Sequence, residues 1–194
     1  MSEINQIKCV FLGDSGVGKT CMLHRYINGT FITPTSPTIG GSYLSKVITY
    51  EGHKIDLMLW DTAGQEMYRG LAPMYYRNAK IAFIVYDVSS AKSFESVMYW
   101  VEELRQNTGN DMIIAIVGNK CDLDSKRVVD FEKAENFAKS VNGVYIETSA
   151  KSGYGIDQLF ETGVRLVMTS ASKVIKPSVE LENKQEKKEE SACC

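Results

Sequence analysis

Apolar residues follow two alternating rhythms along the chain. Ile7–Leu12 is a short β-like run that stops at a glycine-rich turn, and Lys19–Asn28 has the spacing of a helix. Tyr43–Tyr50 is rich in β-branched and aromatic residues. Lys54–Trp60 alternates, with Ile55, Leu57 and Leu59 on one face. The connector Glu51-Gly52-His53 between these two runs has the length of a hairpin loop. Ile81–Tyr86 and Met112–Val117 are unbroken apolar runs of six residues, as expected of strands buried on both faces of a parallel sheet. Phe94, Val97, Met98, Val101 and Leu104 recur at helical spacing between them. Ala134, Phe137, Ala138 and Val141 mark another helix, Val144–Glu147 a short strand, and Ile156, Leu159, Phe160 and Val167 a last helix. Phe31–Gly40 holds two prolines and three threonines without either period, and reads as a loop.

Strands alternating with helices predict an α/β domain. It has a six-stranded, mostly parallel sheet with right-handed crossovers, helices on both faces and one antiparallel edge strand from the hairpin. Ligands bind beyond the carboxyl ends of the strands in such sheets. Near Ser172 the composition changes. From Lys173 onward there are five Lys, five Glu and only four aliphatic residues before the final Ala-Cys-Cys. The expected organisation is a domain over 1–171 and a disordered tail over 172–194.

Charge narrows the function. The 194 residues carry 22 Lys+Arg and 24 Asp+Glu, a formal net charge of −2, which argues against nucleic acid as a partner. A membrane-spanning helix needs about 20 apolar residues, and no run comes near that. Met1–Lys8 has no signal-peptide core, and Ser2 stands where myristoylation needs Gly. Of five cysteines, Cys9, Cys21 and Cys121 are dispersed without metal-ligand spacing and read as reduced cytosolic thiols.

The turn after the first strand, Gly13-Asp-Ser-Gly-Val-Gly-Lys-Thr20, matches G-x-x-x-x-G-K-[ST] between a strand and a helix. The fold expected is therefore that of a P-loop NTPase. Backbone N–H groups of Asp14, Ser15, Gly16, Val17 and Gly18 can wrap an anion, and the helix start at Lys19, Thr20 and Cys21 adds its positive dipole end. Lys19 supplies a cation to the outer phosphates and Thr20 a hydroxyl for Mg²⁺. Leu57–Asp61 is an apolar strand ending in an acid suited to the same metal. In the following Thr62-Ala-Gly-Gln-Glu66, Gly64 offers an unobstructed N–H to a γ-phosphate. Gln65 carries both a donor and an acceptor, so it can orient an attacking water.

Two further loops follow strands. In Asn119-Lys-Cys-Asp122, the Asp122 carboxylate can accept both N1–H and N2–H of guanine. Adenine offers a bare acceptor there and would leave the charge unpaired. Asn119 can bond the base or tie loops together, and the Lys120 stem can lie along the ring. In Thr148-Ser-Ala-Lys151, the Ala150 N–H can reach guanine O6; the plainer reading is a capping turn at the start of a helix.

Taken together, the phosphate loop, Thr38, Asp61–Gln65, Asn119–Asp122 and Ser149-Ala-Lys151 closely resemble a Ras-like small GTPase, in family order over residues 7–170. Trp60–Glu66, Tyr75-Tyr76-Arg77, Thr38-Ile-Gly40 and the terminal Cys193-Cys194 resemble the Rab branch, and Leu71–Arg77 its endocytic, early-endosomal members. The resemblance implies GTP/GDP and Mg²⁺ as cofactors, with Thr20, Thr38 and Asp61 at the metal, Phe31 stacked edge-on against guanine, and Gln65 and Lys19 as catalytic residues. Tyr43, Trp60 and Tyr75 match an aromatic trio that effectors read, although Trp60 also reads as a core aromatic. Met67, Tyr43 and Gly41-Ser42 depart from the common Rab pattern, at positions that bear on partners. The resemblance further implies an exchange factor, a GTPase-activating protein, a GDP dissociation inhibitor, a prenylation escort protein and effectors as partners of a monomer.

Cys193 and Cys194 resemble a double geranylgeranylation signal, and two lipids make a stable anchor where one does not. The tail's balanced charge adds little attraction to a bilayer, and its reach is at most roughly 70–80 Å. The expected location is the cytoplasmic face of endosomal membranes, with cycling through the cytosol. Arg69 and Arg77 are the nearest internal arginines, and the resemblance implies that both face away from the phosphates. The expected function is a GTP-hydrolysing switch of membrane traffic. The alternatives are a P-loop kinase acting on a small molecule and a scaffold that binds nucleotide without hydrolysing it.

Overall fold

The computed structural model describes residues 6–33, 36–109 and 111–174. Its elements run β1 (Gln6–Leu12), α1 (Lys19–Asn28), β2 (Gly41–Tyr50), β3 (His53–Thr62), α2 (Ala72–Tyr76), β4 (Ile81–Asp87), α3 (Ala91–Asn107), β5 (Ile113–Asn119), α4 (Phe131–Ser140), β6 (Val144–Glu147) and α5 (Ile156–Val174). The six strands lie in the order β2-β3-β1-β4-β5-β6. Only the β2–β3 pairing is antiparallel. This is the architecture expected from the alternation of runs, with the hairpin strand at one edge.

The strands alternate their side chains between two cores. Ile7, Cys9 and Phe11 of β1 pack with Phe83 and Val85 of β4 under α1 and α5, through Met22, Leu23, Leu159 and Phe160. Val10 and Leu12 face the other way, with Ile84 and Tyr86, under α3 and α4 through Val97, Trp100, Ala134 and Ala138. Every residue of β4 is buried, so its unbroken apolar run is the product of two covered faces.

The hairpin turn is one residue shorter than expected. His53 pairs with Tyr50, leaving Glu51 and Gly52 at φ 47° and 82°, the two positive angles of a type I′ turn. Strands β3, β4 and β5 continue past their apolar runs to Thr62, Asp87 and Asn119, and it is these polar ends that approach the site. Helix α5 runs to Val174, three residues beyond the expected boundary at 171. No Gly or Pro interrupts the chain there before Pro177. No helix among the described residues is long and apolar enough to cross a bilayer.

Candidate nucleotide and metal site

The loops after β1, β3, β5 and β6 close around one cavity of about 730 Å³, with Phe31 and Thr38 on a further wall. That volume suits a ligand of nucleotide size. The phosphate loop forms its floor. Gly18 caps α1 at φ 100°, and no side chain caps the helix start, so its N–H groups are left for an anion. A Cβ on Gly18 would lie 2.4 Å from Asn119 Nδ2; the turn needs glycine for its angle and for its closeness to the base loop. Lys19 is buried and its Nζ donates to the carbonyls of Gly13 (2.7 Å) and Asp14 (2.9 Å). Burial pushes its ammonium down to about 8, with Asp61 and Asp14 pulling the other way. A phosphate would reverse that cost of burial.

Ser15, Gly16, Thr20 and Cys21 line the cavity with Lys19. Asp14 and Val17 lie in the loop but turn their side chains away from it. Val17 is buried in the core and its carbonyl accepts from Asn119 Nδ2 at 2.8 Å. Asp14 accepts from Ser96 Oγ of α3 at 2.7 Å and from Arg69 Nη2 at 3.4 Å. Arg69 is thus paired with the outward-turned Asp14 carboxylate and lies over the Tyr99 ring at 4.7 Å, without lining the cavity. Arg77 is exposed beyond α2, where its carbonyl accepts from Lys8 Nζ at 2.7 Å.

The expected metal ligands converge. Thr20 Oγ1 lies 2.8 Å from Thr38 Oγ1 and donates to Asp61 Oδ2 at 2.6 Å, while Asp61 Oδ1 is buried and without a partner. Burial raises the Asp61 carboxyl above its usual range, against the Thr20 hydrogen bond and the Lys19 charge. An oxygen set of two hydroxyls and one carboxylate fits a hard cation that keeps phosphate and water ligands. Gly64 lies against the phosphate loop, so close that a Cβ would meet Asp14 and Ser15 backbone atoms at 2.3–2.4 Å. Gln65 precedes the 3₁₀ turn Glu66–Leu71 in extended backbone. It is half-buried and is not among the residues lining the cavity.

The base loops interlock. Asn119 ties loops: besides Val17, its Oδ1 accepts from Thr148 Oγ1 and from Ala150 N, both at 3.2 Å. The Ala150 N–H expected at guanine O6 is thus directed to Asn119, the nearest carbonyl oxygen. Ser149 reaches the site indirectly, its Oγ donating to Asp122 Oδ1 at 2.6 Å and accepting from Ser152 N. The same hydroxyl serves the capping turn and the acid. Lys120 stands at φ 65° and its Nζ pairs with Asp87 at 2.7 Å, leaving its stem along the cavity wall. Burial raises the Asp87 carboxyl, but hydrogen bonds from Lys120 and Ser89 outweigh it and hold it below the usual range. Lys151 also lines the cavity.

Sequence reasoning missed Asp87, an acid at a strand's carboxyl end like Asp61. It also missed Arg25, a basic residue in the last turn of α1 before Gly29, a helix-end signal that does not reveal a distant partner. Trp60 is half-buried, with Tyr43 and Tyr75 tilted against it at 5.3 and 5.8 Å; it packs on the core and belongs to the aromatic group at once. Ile39, Met67 and Met74 are 80%, 77% and 71% exposed.

A phosphate loop at a strand-helix turn, an acid and a glycine closing on it, and a carboxylate held in a base loop define a phosphate-loop nucleotide hydrolase. The Ras family matches residues 8–169. Rab-22A of Homo sapiens and of Mus musculus are each 41% identical over 170 residues, covering 87% of this chain and 88% of theirs. RabJ of Dictyostelium discoideum is 42% identical, over 87% of this chain and 66% of its own. The chain belongs to the Ras family, as a Rab-type small GTPase of the endocytic branch. It binds guanine nucleotides, hydrolyses GTP to GDP, and acts as a switch in vesicle and endosomal membrane traffic, with regulators and effectors as partner kinds. Its work is therefore at endosomal membranes. Family membership does not favour the kinase alternative.

Proposed function

We propose that the cavity holds GTP with one Mg²⁺, and that the switch is read out through the Thr38 and Gln65 segments on an endosomal membrane. The observation that carries the metal assignment is the meeting of Thr20, Thr38 and Asp61 oxygens beside a buried, partnerless Asp61 Oδ1. When bound, the ion neutralises charge between β- and γ-phosphates. Thr20 and Thr38 would bind it through their hydroxyls and Asp61 through its carboxylate, directly or across a water. Lys19 neutralises the outer phosphates, with the N–H groups from Asp14 to Cys21 around them. Gly64 donates its N–H at the γ-phosphate, and Gln65 swings in to orient water. Asp122, braced by Ser149, accepts from guanine N1–H and N2–H. Lys120 and Phe31 flank the ring, and Ala150 N–H turns from Asn119 to O6. Without an arginine aimed at the γ-phosphate, hydrolysis is slow until a GTPase-activating protein assists. Chelating the metal from GDP-loaded chain should accelerate nucleotide release at least about tenfold, by loss of roughly 1.4 kcal/mol. Release that ignores chelator would contradict the metal assignment.

We further propose that residues beyond Val174 tether a monomeric domain to lipid through geranylgeranylated Cys193 and Cys194, which lie outside the described residues. The domain cycles through the cytosol with a GDP dissociation inhibitor, after delivery by an escort protein and activation by an exchange factor. The support is the Cys-Cys terminus and a tail of four Lys and five Glu that leaves lipid as the main attractive force. In cells expressing the full chain, Cys193→Ser with Cys194→Ser should abolish sedimentation with membranes, and each single change should reduce it. Fractionation unaffected by the double change would contradict the anchor.

A further inference from the structure

We propose that Arg25 is a positioning residue that holds the base loop from behind and couples it to the segment leading to Phe31. The inference rests on the reading of residues 149–151 as facing the base. Arg25 lies in the last turn of α1 and is not itself among the residues that line the cavity. Its guanidinium donates to three backbone carbonyls at once: Nε to Ala150 (2.9 Å), Nη1 to Gly29 (2.8 Å), and Nη2 to Lys151.

The Ala150 residue is thereby gripped on both sides, its N–H by Asn119 and its carbonyl by Arg25. The bond to Gly29 reaches the segment that leads to Phe31. Gly29 caps α1 at φ 70° and returns a hydrogen bond from its own N–H to the Arg25 carbonyl at 2.9 Å. Phe31 of the cavity follows two residues later. One planar, permanently charged fork thus ties the end of its own helix to a residue 125 positions away in sequence, a task that a lysine's single nitrogen performs poorly. Anything that displaces the chain beyond Gly29 pulls on the same guanidinium that steadies the base loop. Nucleotide release and opening of the Phe31 wall become parts of one movement.

The test uses full-length chain loaded with ribose-labelled GDP and chased with unlabelled GDP, for the unaltered protein, Arg25→Gln, Arg25→Lys and Asp122→Asn. Arg25→Gln should release at least about tenfold faster, with Arg25→Lys between. Hydrolysis of GTP already bound should move less than about twofold, because chemistry lies at the other end of the nucleotide. If Arg25→Gln fails to fold, Arg25→Lys carries the comparison. Release within twofold for the Arg25 variants, beside faster release from Asp122→Asn, would overturn the role of Arg25 and leave the base site standing. Unchanged release from Asp122→Asn as well would overturn the base site with it. An equal loss of hydrolysis and retention would make Arg25 a general stabiliser and also overturn the proposal.

Discussion

Asp122→Asn should cost the protein roughly 10²-fold or more in GTP affinity and turn its preference toward xanthine nucleotides. Two hydrogen bonds from guanine to a carboxylate contribute about 1.5–3 kcal/mol each, and an amide oxygen beside an amide N–H₂ cannot accept both. Xanthine presents an oxygen at C2 in place of the amino group, which the new N–H₂ can meet. Ser149 Oγ, 2.6 Å from Asp122 Oδ1, remains able to donate to the Asn oxygen, which orients the amide. Competition binding with GTP, XTP and ATP reads the outcome. Unchanged preference for GTP over XTP would remove Asp122 from the base site.

Gln65→Leu should slow intrinsic GTP hydrolysis by roughly 10- to 10²-fold, the scale of losing a well-placed reactant, and hold the chain in its GTP state. Leucine keeps the side chain's bulk but offers neither donor nor acceptor to a water. Gln65 stands in extended backbone between Gly64, which is pressed against the phosphate loop, and the turn that carries Arg69. Both ends of its segment are fixed. GDP release should stay as it was. Single-turnover hydrolysis unchanged in Gln65→Leu would show that another group orients the water.

The fold was legible where the pattern is local. Ile81–Tyr86 and Met112–Val117 announce buried strands because two covered faces demand apolar side chains at every position. Their polar last residues, Asp87 and Asn119, were not legible as strand, since the backbone ladder Asp87↔Asn119 leaves no trace in hydropathy. Helix α2, five residues long, is too short to show a period; Pro73 in its first turn was the one local sign. In the site, Lys19, Thr20 and Asp122, picked out by type and motif, line one cavity, with Asp61 bonded to Thr20. Residues that act through a distant partner were not legible. Arg25 reaches Ala150, Arg69 reaches Asp14 and Lys120 reaches Asp87 only because the sheet order brings their loops together. Arg69 shows this most clearly: it does not line the cavity, yet the outward-turned Asp14 carboxylate holds it beside the loop.

This guanine-nucleotide hydrolase should be slow alone because, among the described residues, no arginine lines the cavity. Arg69, the nearest, is engaged by Asp14 and by the ring of Tyr99. The most direct measurement is single-turnover phosphate release from purified full-length chain with Mg²⁺, loaded with GTP and, separately, offered ATP. The account predicts GTP hydrolysis within about a factor of ten of the roughly 10⁻⁴–10⁻³ s⁻¹ of Ras without its activator, and no turnover of ATP. A rate near about 1 s⁻¹ without a partner, or ATP hydrolysed as readily as GTP, would contradict it.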